Sequence, residues 1–261
     1  LQFTKNSLFF PGQNLITLVS VDSTNRYAKL LVSNSRPVAD GTVILAEHQS
    51  AGRGQMSSSW LSETGKNLTF SIIVHPFHLS PDQQFKLNKV VALSVFDLFA
   101  EMNLEVKIKW PNDIICPEGK LGGILIENII QGNTLKHAII GIGINLNQTE
   151  FPDAAGSAVS VRQLTGINYD LIEVLNLLLF HFGKRYLQLK RAEYGLIDTD
   201  YLKNLLGYNE ICTYEIDGMQ VAGIIRGILE TGELELDFQG KIRLFWLKEI
   251  KFVHTGPPAT N

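Results

Sequence analysis

Residues with the means to handle an anionic reacting centre gather in the run Lys109–Gly123, KWPNDIICPEGKLGG. Lys109 and Lys120 supply positive charge, Asp113 a carboxylate, and Gly122-Gly123 let backbone N–H groups approach a ligand closely. Such a set suits a carboxylate and a phosphate brought together. On this stretch alone, two ordinary turns with solvated lysines would serve equally well. A second cation stands in the loop from His48 to Trp60, where Arg53 lies between Gly52 and Gly54. A guanidinium so placed can grip a carboxylate or phosphate through paired hydrogen bonds. Taken by itself, that loop also reads as a flexible hairpin tip.

Strands and helix starts must position these groups. Val106, Ile108 and Trp110 alternate with Lys107 and Lys109, which predicts a strand broken by Pro111-Asn112-Asp113. Asn14–Val21, Thr42–Glu47 and Asn67–His75 read as further strands. Gly123–Ile130 and Thr134–Asn145, joined by Gln131-Gly132-Asn133, read as a hairpin. Its second strand ends GIGIN, and the alternating glycines leave space for a flat ligand. Asp22-Ser23-Thr24-Asn25 opens a helix, where Ser23 or Thr24 would be a simple N-cap. Ser80-Pro81-Asp82-Gln83 opens another with a capping box, and its apolar stripe through Phe85, Val90, Leu93 and Phe99 is core. A long helix is expected from Asp170 to Arg191; His181 on it has no partner nearby in sequence and reads as a surface or packing residue. Nothing in the 48–60 loop can form a core of its own, so it is expected to be mobile until something binds.

From Gly207 the pattern shifts to short alternating segments with turns at Asp217-Gly218, Thr231-Gly232 and Gln239-Gly240. The expected division is residues 1–205 as an α/β domain, 206–256 as a small β-barrel-like domain, and 257–261 as a loose tail. The chain has 261 residues and a net charge of −3, so charge supplies no reason to expect a nucleic-acid partner. No apolar run is long enough to suggest a membrane span, and Leu8-Phe9-Phe10 is too short for a signal-peptide core. Cys116 and Cys212 lie far apart, which fits a reducing cytoplasm better than a disulfide or metal cluster. Neither a GxxxxGK[ST] phosphate loop nor a GxGxxG fingerprint occurs.

Five segments, in order, resemble the catalytic domain of biotin–protein ligases. They are Ser23-Thr24-Asn25, Gln49–Gly54 with Trp60, Lys109–Asp113, Lys120–Leu125, and Gly141–Asn145. The resemblance implies an α/β (α+β) fold: a mixed-sheet ligase domain followed by an SH3-like C-terminal domain. It implies formation of biotinyl-5′-AMP from biotin and ATP, then transfer of biotin to a lysine of a biotin carboxyl carrier domain. By the same resemblance Lys120, Arg53 and Asp113 are catalytic. Ser23, Thr24, Asn25, Gln49, Gly52, Arg53, Gly54, Gln55, Lys120, Gly122 and Gly123 bind biotin. Arg53, Trp60, Lys109, Asn112, Lys120 and Asn145 hold ATP or the adenylate. Mg²⁺ is expected with ATP, its ligands unassigned. The expected protein is cytoplasmic, binds neither nucleic acid nor membrane, and admits a homodimer.

Two departures stand out. Only about a dozen residues precede the first strand, where many relatives carry a DNA-binding helix-turn-helix. The GRG loop continues Gln55-Met56-Ser57-Ser58 instead of with arginines and a further glycine, which bears on its grip on phosphate. The competing readings are a lipoate–protein ligase, sharing the fold and lysine chemistry, and a non-catalytic biotin-binding or carrier-docking module. Joint retention of Lys120 and Arg53 weighs against the last.

Overall fold

The computed structural model describes residues 11–34 and 37–254, the side chains of Ser57 and His254 aside. Leu8-Phe9-Phe10 and the 257–261 tail fall outside that range. The first half of the chain forms β1 (Leu15–Val21), α1 (Thr24–Ser33), β2 (Thr42–Gln49), β3 (Leu68–Val74), α2 (Gln84–Glu101), β4 (Lys107–Lys109), β5 (Asp113–Cys116) and β6 (Gly119–Gln131). It continues with β7 (Thr134–Ile144), α3 (Val161–Thr165), α4 (Leu171–Lys190) and α5 (Tyr194–Lys203). The last part is all β: β8 (Ile211–Ile216), β9 (Met219–Ile228), β10 (Leu234–Phe238), β11 (Lys241–Phe245) and β12 (Lys251–His254).

Strands β1 to β7 make one mixed sheet, in the order β1-β2-β3-β7-β6-β5-β4, parallel between β1 and β2 and antiparallel elsewhere. Every residue of β3 is buried, as a central strand covered on both faces requires. One face packs on α1 through Ala28, Ile44, Ile73 and Ile139. The other carries α2 and α4, whose Leu93, Phe99, Leu178 and Phe182 lie in the main core. The capping box at Ser80–Gln83 forms, and Asp170 caps α4 by accepting from the Ile172 and Glu173 amides. His181 is buried, and its Nε2 stands 2.8 Å from Glu101 Oε2.

Strands β8 to β12 form a five-stranded antiparallel sheet, order β11-β10-β9-β8-β12. Asp217-Gly218 and Gln239-Gly240 make its tight hairpin turns with positive φ at both positions, the backbone that two-residue hairpins favour. Tyr214, Ile225, Leu234 and Leu236 of this sheet belong to the same hydrophobic core as the first sheet and its helices. Trp110 Nε1 donates to the Gly232 carbonyl at 3.0 Å, and Lys86 on α2 pairs with Glu230 at 2.9 Å, pinning the turn between β9 and β10 to the larger unit. Trp110 is thus a fixed joint between the sheets.

Candidate active site

The N-terminus of α1, the 48–60 loop, the β4–β5 turn and the glycine-bearing parts of β6 and β7 converge on a cavity of about 250 Å³. Ser23, Thr24, Asn25, Gln49 and Trp60 line it from one side. Arg53, Gly54, Gln55, Asn112, Asp113, Lys120 and Gly123 complete the predicted set that reaches it.

Ser23, Thr24 and Asn25 are almost wholly buried, and their side chains face inward instead of capping α1. Gln49 Oε1 accepts from the Thr24 backbone N–H at 2.8 Å and faces Thr24 Oγ1 at 3.2 Å. Ser71, on β3, donates to Asn25 Oδ1 at 2.6 Å and lies 2.7 Å from Thr24 Oγ1. Asn25 Nδ2 in turn donates to the Leu125 carbonyl and to Glu127 Oε2. These bonds lock the rotamers of a polar pocket that offers both donors and acceptors.

Two ion pairs hold the site's cations. Lys120 Nζ stands 2.7 Å from Asp113 Oδ1, across the register that pairs β5 with β6. Arg53 Nη2 stands 2.6 Å from Glu127 Oε2, the oxygen that Asn25 also meets. Both pairs are partly open to water, so each is a modest, exchangeable contact and not a structural staple. An arriving phosphate can compete for both cations.

The glycines have assigned neighbours. A Cβ on Gly143 would stand 2.4 Å from Trp60 Cε2, and one on Gly141 would stand 2.5 Å from Asn25 Oδ1. The flat group for which the GIG alternation makes room is the indole of Trp60, pressed on β7. Lys120 Nζ lies 5.9 Å from the centre of the Trp60 ring. The 48–60 loop carries hydrogen bonds of its own. Arg53 bridges to Ser59, Trp60 N donates to Gly52 O at 3.0 Å, and Gly54 N donates to Ser58 O at 2.7 Å.

Four predicted site residues stand outside this cavity lining. Lys109 extends its Nζ over the Phe252 ring, 5.5 Å from its centre, towards the C-terminal sheet. Asn145 is buried and donates to the Lys120 carbonyl at 3.1 Å, so it shapes the backbone beneath the lysine. Gly122 sits within the β5–β6–β7 ladder, and Gly52 packs under the Trp60 carbonyl. Conversely, Glu127, Ser71 and Lys248 went unread. Lys248, from the loop before β12, lines the cavity from the C-terminal sheet. Ser71 and Glu127 sit within strand patterns that carried no motif; only their long-range pairing with Asn25 and Arg53 reveals them.

A profile of the Biotin/lipoate A/B protein ligase family matches residues 18–145. The biotin--[acetyl-CoA-carboxylase] ligase of Paracoccus denitrificans is 31% identical over 229 residues, covering 84% of this chain and 92% of that protein. The chain belongs to the biotin–protein ligase family. This ligase-family chain is also 38% identical over 179 residues to the bifunctional ligase/repressor BirA of Bacillus spizizenii. That match covers 67% of the chain but 54% of the relative, so the chain spans about half its length. Among solved structures, biotin protein ligase from Aquifex aeolicus in complex with biotin and ATP superposes with a TM-score of 0.76 at 27% identity. The match covers 93% of this family member and 99% of the Aquifex chain.

Proposed function

We propose that the protein is an ATP-dependent biotin–protein ligase. The observation that carries this reading is that Lys120 and Arg53, from segments far apart in sequence, line one cavity together with the Ser23–Thr24–Gln49 polar pocket. In the first step a biotin carboxylate oxygen attacks the α-phosphorus of ATP. The bond to the β-phosphate oxygen breaks, and pyrophosphate leaves with the bonding pair. Two anions must meet, and Lys120 and Arg53 offset their repulsion with charge already in place. In the second step the neutral ε-amine of a carrier lysine attacks the acyl carbon. The acyl–oxygen bond breaks, AMP leaves with its electron pair, and the amine gives up a proton. Asp113, beside Lys120, is the base or orienting group for that amine.

Ser23, Thr24, Asn25, Gln49, Gly54 and Gln55 would hold biotin, whose ureido ring needs partners of both kinds. Gly52, Gly122 and Gly123 would shape that pocket's backbone. Trp60, Asn112, Lys109 and Asn145 would serve the nucleotide, the last two from behind the cavity wall. Mg²⁺ would supply charge neutralisation for ATP, and such ions need only one or two protein carboxylates. Asp113, ion-paired with Lys120, is the acidic side chain lining the cavity and would be available to such an ion only on leaving that pair; the described residues hold no cluster of three or more His, Cys, Asp or Glu side chains arranged for a metal. The carrier domain as partner, a cytoplasmic setting, an SH3-like character for residues 206–256 as a domain beside 1–205, and a homodimer complete the reading.

Biotin-dependent exchange of labelled pyrophosphate into ATP tests it. The parent protein should exchange, and Lys120→Ala should lose roughly 10²–10³ in rate. Lys120 is a third exposed, so its loss should leave thermal stability within about 1 kcal/mol of the parent. Exchange that responds to lipoate and not to biotin, or near-parental exchange by a folded Lys120→Ala variant, would overturn the assignment.

A further inference from the structure

The C-terminal sheet places one charged side chain on the wall of the reaction cavity. Leu247 and Lys248, in the turn between β11 and β12, line it together with Arg53, Asp113 and Lys120. Leu247 bridges to Ile250, and the Glu249 amide donates to the Trp246 carbonyl at 3.1 Å. The Glu249 carboxylate folds back on the same segment and accepts from the Trp246 amide at 2.7 Å. Lys248 is exposed and has a φ of +76°, in the left-handed region that glycine enters freely and a residue with a Cβ rarely does. A glycine would make this turn at lower cost, so the turn alone gives no reason for a lysine there.

The charges around the cavity are otherwise balanced. Lys120 faces Asp113 and Arg53 faces Glu127, so those four cancel. Among the described residues Lys248 makes no ion pair, and it leaves the lining net positive towards an anionic ligand. Arg53 is tied through Glu127 to Asn25 of the polar pocket, so it serves the place where a carboxylate meets the α-phosphorus. Lys248 has no such tie. It is both exposed and part of the lining, so it stands where the cavity opens to water and a leaving group can depart. An ammonium on a flexible stem suits phosphates that shift during a reaction. We propose that Lys248 binds the β- and γ-phosphates of ATP and meets the charge that develops on pyrophosphate as it leaves. The inference rests on the ligase reading and gives the C-terminal sheet a part in adenylate formation and none in transfer. When the bond from the α-phosphorus to the bridging oxygen breaks, its electron pair goes to that oxygen. The Lys248 ammonium offsets the new charge without giving up a proton.

The test uses the whole chain and the variants Lys248→Gly, Lys248→Gln and Lys248→Arg. Binding is read by calorimetric titration with Mg²⁺-ATP, biotin being absent, and with AMP, which has no β- or γ-phosphate. Lys248→Gly and Lys248→Gln should weaken ATP about tenfold, as loss of a charge-assisted hydrogen bond implies, and leave AMP within about twofold. The KM for ATP and for pyrophosphate in biotin-dependent exchange should rise by about the same factor. Transfer from added biotinyl-AMP to a biotin carboxyl carrier domain should hold its parental rate. Lys248→Arg keeps the charge and should return ATP binding towards the parental value. Lys248→Gly should melt no lower than the parent, because glycine suits that backbone, so weaker ATP binding could not be laid to a damaged turn. ATP affinity indifferent to Lys248→Gly and Lys248→Gln would overturn the proposal. An equal loss of AMP would also overturn it, by placing Lys248 at the α-phosphate or the base. A raised KM for the carrier with ATP binding unchanged would assign the lysine to an acidic surface of the carrier instead. Absence of exchange by a parent that binds ATP would overturn the ligase reading, while the two titrations still decide the phosphate contact.

Discussion

The residues at the centre of the site are held ready but not free. Arg53 shares Glu127 with Asn25, and Lys120 is paired with Asp113, so an anionic ligand reaching either cation would have to displace a carboxylate. Arg53 sits where it does because β6 brings Glu127 opposite the loop, a pairing across 74 residues that no local motif announces. Gln55 lines the cavity with a neutral amide where the family resemblance leads one to expect an arginine. Charge-assisted hydrogen bonds are about twice as strong as neutral ones, so on the proposed ligase reading an amide here would hold the adenylate less tightly than a guanidinium by roughly 1 kcal/mol. Gln55→Arg should therefore slow release of biotinyl-AMP by about fivefold, timed by chasing trapped adenylate. Equal or faster release would mean that Gln55 takes no part in retention and that the loop holds its ligand through backbone and Trp60.

At the scale of elements, the strands succeed as positioning devices because their small residues admit specific partners. Gly143→Ala would drive a Cβ into the Trp60 indole, which must then leave β7. The variant is expected to keep its fold, shift Trp60 fluorescence relative to a Gly143→Ala, Trp60→Phe control, and raise the KM for ATP about tenfold or more. An unshifted KM would remove Trp60 from the nucleotide site. The opposite end of the same sheet carries a pH response. His75 Nε2 donates to Val38 O at 2.8 Å, so its Nδ1 is free to accept from His137 Nδ1 at 2.8 Å. Burial, then the neighbouring His75 and Lys136, lower the pKa of His137 below its ordinary 6.5. Once unfolded, His137 titrates near 6.5 again and takes up its proton first, so stability is undiminished above that pH and falls as pH drops below it. Thermal melts should show less loss between pH 7 and pH 5.5 in His137→Gln than in the parent; parallel curves would contradict this.

The molecule as a whole explains what was legible in its sequence. The strands at 42–49, 68–74 and 134–144 and the helices at 84–101 and 171–190 could be read, because each carries a burial pattern of its own and a cap or turn at its end. The cavity's main cations and polar pocket could be read because motif residues fall at strand ends. Lys109 and Asn145 stand outside the cavity lining, Lys109 Nζ over the Phe252 ring and Asn145 on the Lys120 carbonyl, positions set by long-range packing that no local pattern shows. Lys248 could not be read, since it reaches the cavity only after the C-terminal sheet docks through Trp110 and Gly232. Both sheets share one core among the described residues, so the cavity depends on both. On the proposed reading, this assembly joins biotin to a carrier lysine at the expense of ATP. Mass spectrometry of a biotin carboxyl carrier domain incubated with the protein, biotin and ATP tests it most directly. The expected product carries one biotinyl group on one lysine, formed with AMP and pyrophosphate and lost with Lys120→Ala. A carrier that stays unmodified, or is modified equally without ATP, would contradict it.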